Sequence, residues 1–140
     1  MRYQRFQQYL VRWYHAYGRH ELAWRQTTDP YAILVSELML QQTQVERVIP
    51  KYQAFMQKFP TAKALASVQL DEVLRMWQGL GYNRRAKYLW QTASAVTSAG
   101  GEFPKTEEDL RALPGIGPYT ASAVACFSYI MPVTLIETNV

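Results

Sequence analysis

Segment 113–127 reads LPGIGPYTASAVACF, an order of residue types that builds a device for holding a phosphate. Leu113 and Pro114 close one helical segment, Gly115 and Gly117 make a tight turn, and Pro118 suits the first position of a new helix. Lacking a Cβ, the two glycines can take turn conformations closed to other residues, and their N–H groups can approach an anion closely. The next helix adds its own unpaired N–H groups and the positive end of its dipole. Such a clamp grips a phosphate and ignores base identity. A bare G-x-G would more often be a helix–turn–helix corner with no ligand. Here the Leu-Pro before it and the Thr-Ala after it favour the clamp.

A second chemical candidate is Glu37, embedded in the otherwise apolar run YAILVSELML. Desolvation disfavours the carboxylate, so a carboxyl in such surroundings keeps its proton toward neutral pH and can serve as a general acid. The competing reading is an exposed Glu on an amphipathic helix.

The chain that must position these groups has 140 residues, enough for one well-buried domain or one domain and a piece of a second. With 49% hydrophobic and 19% charged residues it is globular in composition, so a packed core is expected. A net charge of +4 suits a polyanionic partner, though ordinary soluble proteins share it. Cys126 stands alone, which excludes an internal disulfide and a zinc or iron–sulfur site built from these residues. The N-terminus scatters charges through its apolar positions, and no apolar run is long enough to span a bilayer. A cytoplasmic protein without membrane association is expected.

Turn signals leave only helix-length segments between them, and no alternating β-branched runs flank a hairpin turn, so the expected fold is all-α. The first helix spans 2–17, with Phe6, Leu10, Trp13 and Tyr17 on one face. Asp29 and Pro30 open a second through YAILVSELML. The polar stretch 41–44 separates it from a third, which carries Val45, Val48, Ile49, Tyr52, Phe55, Met56 and Phe59 inward and is bent by Pro50. Short helices fit TAKALASV and LDEVLRMW. A longer one fits RRAKYLWQTASAVTSA, with Ala86, Leu89, Trp90, Ala93 and Val96 on one face, ending at Gly100 and Gly101. Thr106 and the acidic triplet after it start another short helix, and Pro118 starts the last.

LPGIGPYTA resembles the helix–hairpin–helix of the endonuclease III-like DNA glycosylase superfamily. Segment 21–60, with its Trp24-Arg25 pair and the string SELMLQQTQV, resembles the branch that removes adenine from A/G mismatches, as does MWQGLGYNRRAKYL at 76–89. The resemblance covers about 21–140, nearly everything but the first helix. It implies a six-helix barrel at 21–133 with the hairpin at 108–128, an N-terminal helix at 1–20 belonging to a second lobe, and a return to that lobe at 134–140.

The resemblance further implies a monofunctional base-excision enzyme that flips adenine paired with 8-oxoguanine or guanine out of double-stranded DNA and hydrolyses its glycosidic bond. Glu37 matches the acid that protonates the purine and helps activate water. Glu137 matches the carboxylate that stabilises the cationic sugar, although the family usually reads Asp-Gly-Asn where this chain has Glu137-Thr138-Asn139. Tyr119 stands where bifunctional members carry a Schiff-base lysine. Trp24, Arg25, Leu40, Val45 and Tyr119 match base-pocket positions, with core packing the alternative for Leu40 and Val45. Gln42 and Thr43 match residues that enter the duplex; Leu80 and Tyr82 match those that wedge and read the opposite strand. Gly115 and Gly117, with Arg84, Arg85 and Lys87, are the phosphate contacts, a solvated helix face being the alternative for the three cations.

Relatives commonly continue into a lobe with four cysteines around a [4Fe-4S] cluster, whose ligands are absent here, and into an 8-oxoguanine-reading domain. The chain is therefore expected to be a monomeric fragment with weak or no activity. Its first helix would pack on the missing lobe, leaving Trp13, Tyr14 and Tyr17 exposed. Two other functions remain open. One is a mismatch glycosylase for thymine or uracil, against which Glu37 counts because such enzymes generally lack a carboxylate there. The other is a non-catalytic helix–hairpin–helix module.

Overall fold

The computed structural model describes residues 2–132, and among these every regular element is helical. Helix α1 spans Arg2–Tyr17, and a short 3₁₀ turn follows at Ala23–Arg25. Then come α2 (Pro30–Leu40), α3 (Val45–Lys58), α4 (Ala62–Ala66), α5 (Leu70–Trp77), α6 (Arg84–Ser98), α7 (Glu107–Arg111) and α8 (Pro118–Tyr129).

Helix α2 is the axis of the fold. It begins where the Asp29 carboxylate accepts a hydrogen bond from the Tyr31 N–H at 3.1 Å, with Pro30 at the first helical position. Apolar almost all round, it can be stable only with neighbours on every side. It has them: Tyr31 through Ser36, Leu38 and Met39 are buried, and α3, α6 and α8 pack against it. The Tyr31 hydroxyl donates to the Phe59 carbonyl at 2.8 Å, tying the start of α2 to the end of α3.

Helix α3 runs through Pro50 to Lys58. Of the residues expected inward, Val48, Tyr52, Phe55 and Phe59 are buried, and Val45, Ile49 and Met56 are half-buried against the core. Phe55 meets Phe59 and Trp77 edge to face, with centroids 5.1 and 6.0 Å apart, which locks α3 to α5. Each such pair adds about 0.5–1.5 kcal/mol beyond burial itself.

Thr61 and Thr106 cap α4 and α7, each side chain accepting from a main-chain N–H at 3.1 Å. Helix α6 packs on α2, α4 and α5; of the residues the spacing puts on one face, Ala86, Leu89, Ala93 and Val96 are buried and Trp90 is half-buried against the core. It ends where Gly100 and Gly101 adopt φ of 111° and 92°, with the Gly101 N–H returning to the Val96 carbonyl at 2.9 Å.

Helix α1 behaves differently. None of its residues is buried, and the stripe Phe6, Leu10, Trp13 and Tyr17 lies exposed together with Tyr14. Among the described residues no helix is long and apolar enough to cross a membrane.

Candidate active site and nucleic-acid interface

Glu37 is the sole charged residue of α2, half-buried between buried Ser36 and Leu38. That placement removes the reading of an exposed carboxylate on a solvated amphipathic face. One turn further along the same face, the Gln41 side-chain amide donates to the Thr120 hydroxyl at 3.1 Å. Thr120 lies in the first turn of α8, directly after the glycine turn, beside half-buried Tyr119. The helix face that carries the acid is thus joined to the helix that starts at the hairpin.

The two hairpin glycines have different reasons for being glycine. Gly115 has φ of 68°, and a Cβ built there would lie 2.3 Å from Cγ of the Tyr88 ring. Both the left-handed backbone and the close aromatic neighbour demand hydrogen at that position. Gly117 has φ of −82° and ψ of 178°, an ordinary extended conformation, and nothing lies within 4 Å of a Cβ built on it. The expectation that both glycines serve turn geometry is therefore corrected for Gly117, where the missing Cβ leaves open, exposed backbone at the N-terminus of α8. The turn is held from below. Thr92 on α6 donates to the Pro114 carbonyl at 2.9 Å, and buried Ile116 plugs the core.

Two loops meet beside α2: residues 41–44, which lead into α3, and residues 78–83, which lead into α6. Each has one non-glycine residue in the left-handed region, Gln42 at φ 57° and Tyr82 at φ 48°. Both side chains are exposed, Tyr82 by 67%. Thr43 is half-buried, its hydroxyl 3.5 Å from the Leu80 carbonyl. Leu80, expected as a wedge into DNA, is only 4% exposed and belongs to the core, so in this conformation Tyr82 is the apolar side chain that protrudes from this loop.

Arg85 overturns its expected role as a phosphate contact. It is 8% exposed, and its guanidinium is consumed internally. Nη1 donates to the carbonyls of Leu38 (2.7 Å), Met39 (3.0 Å) and Gln41. Nη2 donates to the Thr43 hydroxyl and the carbonyls of Leu80 and Gly81 at 3.0–3.2 Å, and Nε to that of Tyr82 at 3.4 Å. Burial lowers its pKa, with Tyr82 opposing, and the group nonetheless stays cationic because arginine does not deprotonate in proteins. Its neighbours Arg84 and Lys87 are exposed and keep the reading as phosphate contacts open.

Trp24 is 9% exposed and meets Tyr52 edge to face at 5.2 Å, which packs its ring into the core. Arg25 beside it is exposed, its guanidinium 3.4 Å from the Arg19 carbonyl. Leu40 and Val45 are half-buried against the core. Glu137 lies outside the described residues.

Residues 35–133 match the model of the HhH-GPD superfamily. The chain belongs to this superfamily of base excision DNA repair proteins. Within the HhH-GPD superfamily it is 47% identical over 133 residues to the adenine DNA glycosylase of Mycolicibacterium smegmatis, a match covering 94% of this chain and 45% of that protein. It is 39% identical over 132 residues to the thymine-DNA glycosylase of Aeropyrum pernix, covering 93% and 59%. The structure of a thermostable thymine-DNA glycosylase superposes with a TM-score of 0.89 at 28% identity, covering 97% of this chain and 63% of that one. The chain thus spans under half the length of the adenine glycosylase it resembles. The all-helical fold expected from its motifs is the HhH-GPD fold observed.

A [4Fe-4S] cluster of the kind known in this superfamily does not fit the residues present. Four thiolates are required and Cys126 is the only cysteine. Among the described residues no cluster of His, Cys, Asp and Glu is arranged to hold a metal ion.

Proposed function

We propose that this chain carries the base-excising site of an adenine DNA glycosylase acting on adenine opposite 8-oxoguanine or guanine. The observation that supports this reading most is the placement of Glu37, the one charged residue of an apolar central helix, half-buried on a helix bridged to the hairpin helix through Gln41 and Thr120. A flipped adenine leaves poorly as an anion. Glu37 delivers its proton to a ring nitrogen as the C1′–N9 bond breaks and the bonding electrons go to the purine. The resulting sugar cation is stabilised by Glu137, and water adds to C1′ as its proton passes to Glu37. Tyr119 cannot form a Schiff base, so the reaction ends at hydrolysis without strand cleavage.

In this reading Gln42 and Tyr82 enter the duplex, while Gly115, Gly117, Arg84 and Lys87 hold phosphates. The partner is double-stranded DNA with a mismatched or oxidised base, met by a monomer at the nucleoid in the cytoplasm. Residues 21–133 form the domain that carries the site, with α1 outside it.

Release of thymine from T:G mismatches is the second reading, favoured by the similarity to two thymine-DNA glycosylases. Excision assays on A:8-oxoguanine, A:G and T:G duplexes, with the protein expressed at the full length of its reading frame, decide between them. Adenine release is expected. Thymine release without adenine release defeats the first reading.

A further inference from the structure

We infer that Arg85 is the positioning residue for base extrusion: one guanidinium fixes the loops of Gln42 and Tyr82 in a single register, so that both side chains meet the duplex together. The inference rests on the proposed function in taking those two residues as the ones that enter DNA.

Seven oxygens converge on five N–H donors, and six of the seven are main-chain carbonyls. Their distribution carries the argument. Gln41 and Thr43, the residues on either side of Gln42, both accept from Arg85. So do Leu80, Gly81 and Tyr82 itself. The Leu38 and Met39 carbonyls belong to the last turn of α2, which has no intrahelical donors of its own and bears the negative end of the helix dipole. A buried cation there ends the helix that carries Glu37 and fixes both loops to that end.

Gln42 and Tyr82 are two of the three non-glycine residues with positive φ among the described residues. Such a conformation is disfavoured for side chains of this size and persists only where the surroundings impose it. Arg85 holds the Gln41 carbonyl and the Thr43 hydroxyl on either side of Gln42, and the carbonyls of Gly81 and of Tyr82 itself. The guanidinium also lies 5.5 Å from the Trp77 ring and 5.7 Å from the Tyr82 ring, which fixes its own plane. Lysine keeps the charge but offers three donors from one point, and cannot bridge two loops and a helix end at once.

The test compares the parent with Arg85→Lys and Thr43→Val. Circular dichroism verifies folding, hydrogen exchange reads the loops, and 2-aminopurine placed beside the target adenine reports extrusion. In Arg85→Lys, amide protection in 41–43 and 80–82 is expected to fall together, and extrusion and single-turnover excision to drop about tenfold to a hundredfold. Affinity for undamaged duplex should change less than about threefold, since Arg85 touches no phosphate. Adding Tyr82→Ala to Arg85→Lys should reduce extrusion by less than the product of the single effects, because both act on one step. Thr43→Val removes one link and should show the same pattern more weakly, which decides the matter should Arg85→Lys fail to fold. Parental exchange and extrusion in the variants, or loss of protection in one loop alone, overturns the inference. A parent that extrudes no base defeats the functional reading instead, and the exchange data still decide whether Arg85 couples the loops.

Discussion

Gln41 and Thr120, 79 residues apart in the chain, share a hydrogen bond of 3.1 Å between the end of α2 and the first turn of α8. Through it the helix bearing Glu37 and the helix beginning at the glycine turn are held in one relative position. Removing one partner, in Gln41→Ala or Thr120→Val, should lower stability by about 0.5–1.5 kcal/mol. Excision should fall by more than that destabilisation explains, because the acid and the DNA clamp lose their common reference. Thermal unfolding together with single-turnover kinetics reads both quantities; equal kinetics in parent and variants would mean that the bridge serves packing alone.

Glu37→Gln preserves shape and removes the transferable proton. Excision should drop by roughly a hundredfold to ten-thousandfold while duplex affinity stays at the parental level. Base release measured under enzyme excess, beside binding by fluorescence anisotropy, tests this. A variant that still excises at the parental rate takes the acid role away from Glu37.

The hairpin glycines should fail in different ways. Gly115→Ala forces a methyl group against Tyr88 and strains a left-handed backbone, so stability should fall by about 1–3 kcal/mol. Gly117→Ala meets neither obstacle and should unfold within about 0.5 kcal/mol of the parent, yet bind duplex DNA more weakly because the methyl group occupies the space a phosphate would approach. Identical behaviour of the two variants in melting and binding would contradict this division of labour.

Stability should decline at high pH. Burial, with Asp29 adding to it, pushes Tyr52 from 10.0 up to about 12, and burial, Asp29 and Tyr52 together raise Tyr31 as well. In the unfolded chain both phenols ionise near 10.0, whereas the native fold still holds their protons, so the native state binds more protons in that interval. Their contribution is complete below pH 10 and is lost as pH rises toward 12. Melting temperatures across that range should fall together with the appearance of tyrosinate absorbance, and more gently in Tyr52→Phe. A flat profile would contradict the shifts.

Helix boundaries were legible because their signals are local. Asp29-Pro30, Thr61, Thr106 and the Gly100-Gly101 pair act on N–H and C=O groups within a turn of themselves, and each element begins or ends where those residues stand. The inward stripe of α6 was legible for the same reason, since spacing alone puts Ala86, Leu89, Trp90, Ala93 and Val96 on one face, and all but half-buried Trp90 are buried. Arg85 shares that face, one turn before Leu89 and two before Thr92, and this spacing was the available sign that its side chain points inward.

Residue type argued the other way, because a cation beside a basic neighbour reads as surface. Only the folded chain decides it. The carbonyls that offset the desolvation of Arg85 come from residues 38–41 and 80–82, and no local rule brings those two segments to one guanidinium. The same holds for Trp24 against Tyr52, and for Gly115, whose need for a bare Cα comes partly from its own φ and partly from an aromatic ring on α6. The sequence alone determined which segments coil and where they stop, since those choices are made within a few residues; packing across the fold decided which polar groups face outward and which are spent inside holding loops and helix ends together, since burial is a property of what lies opposite.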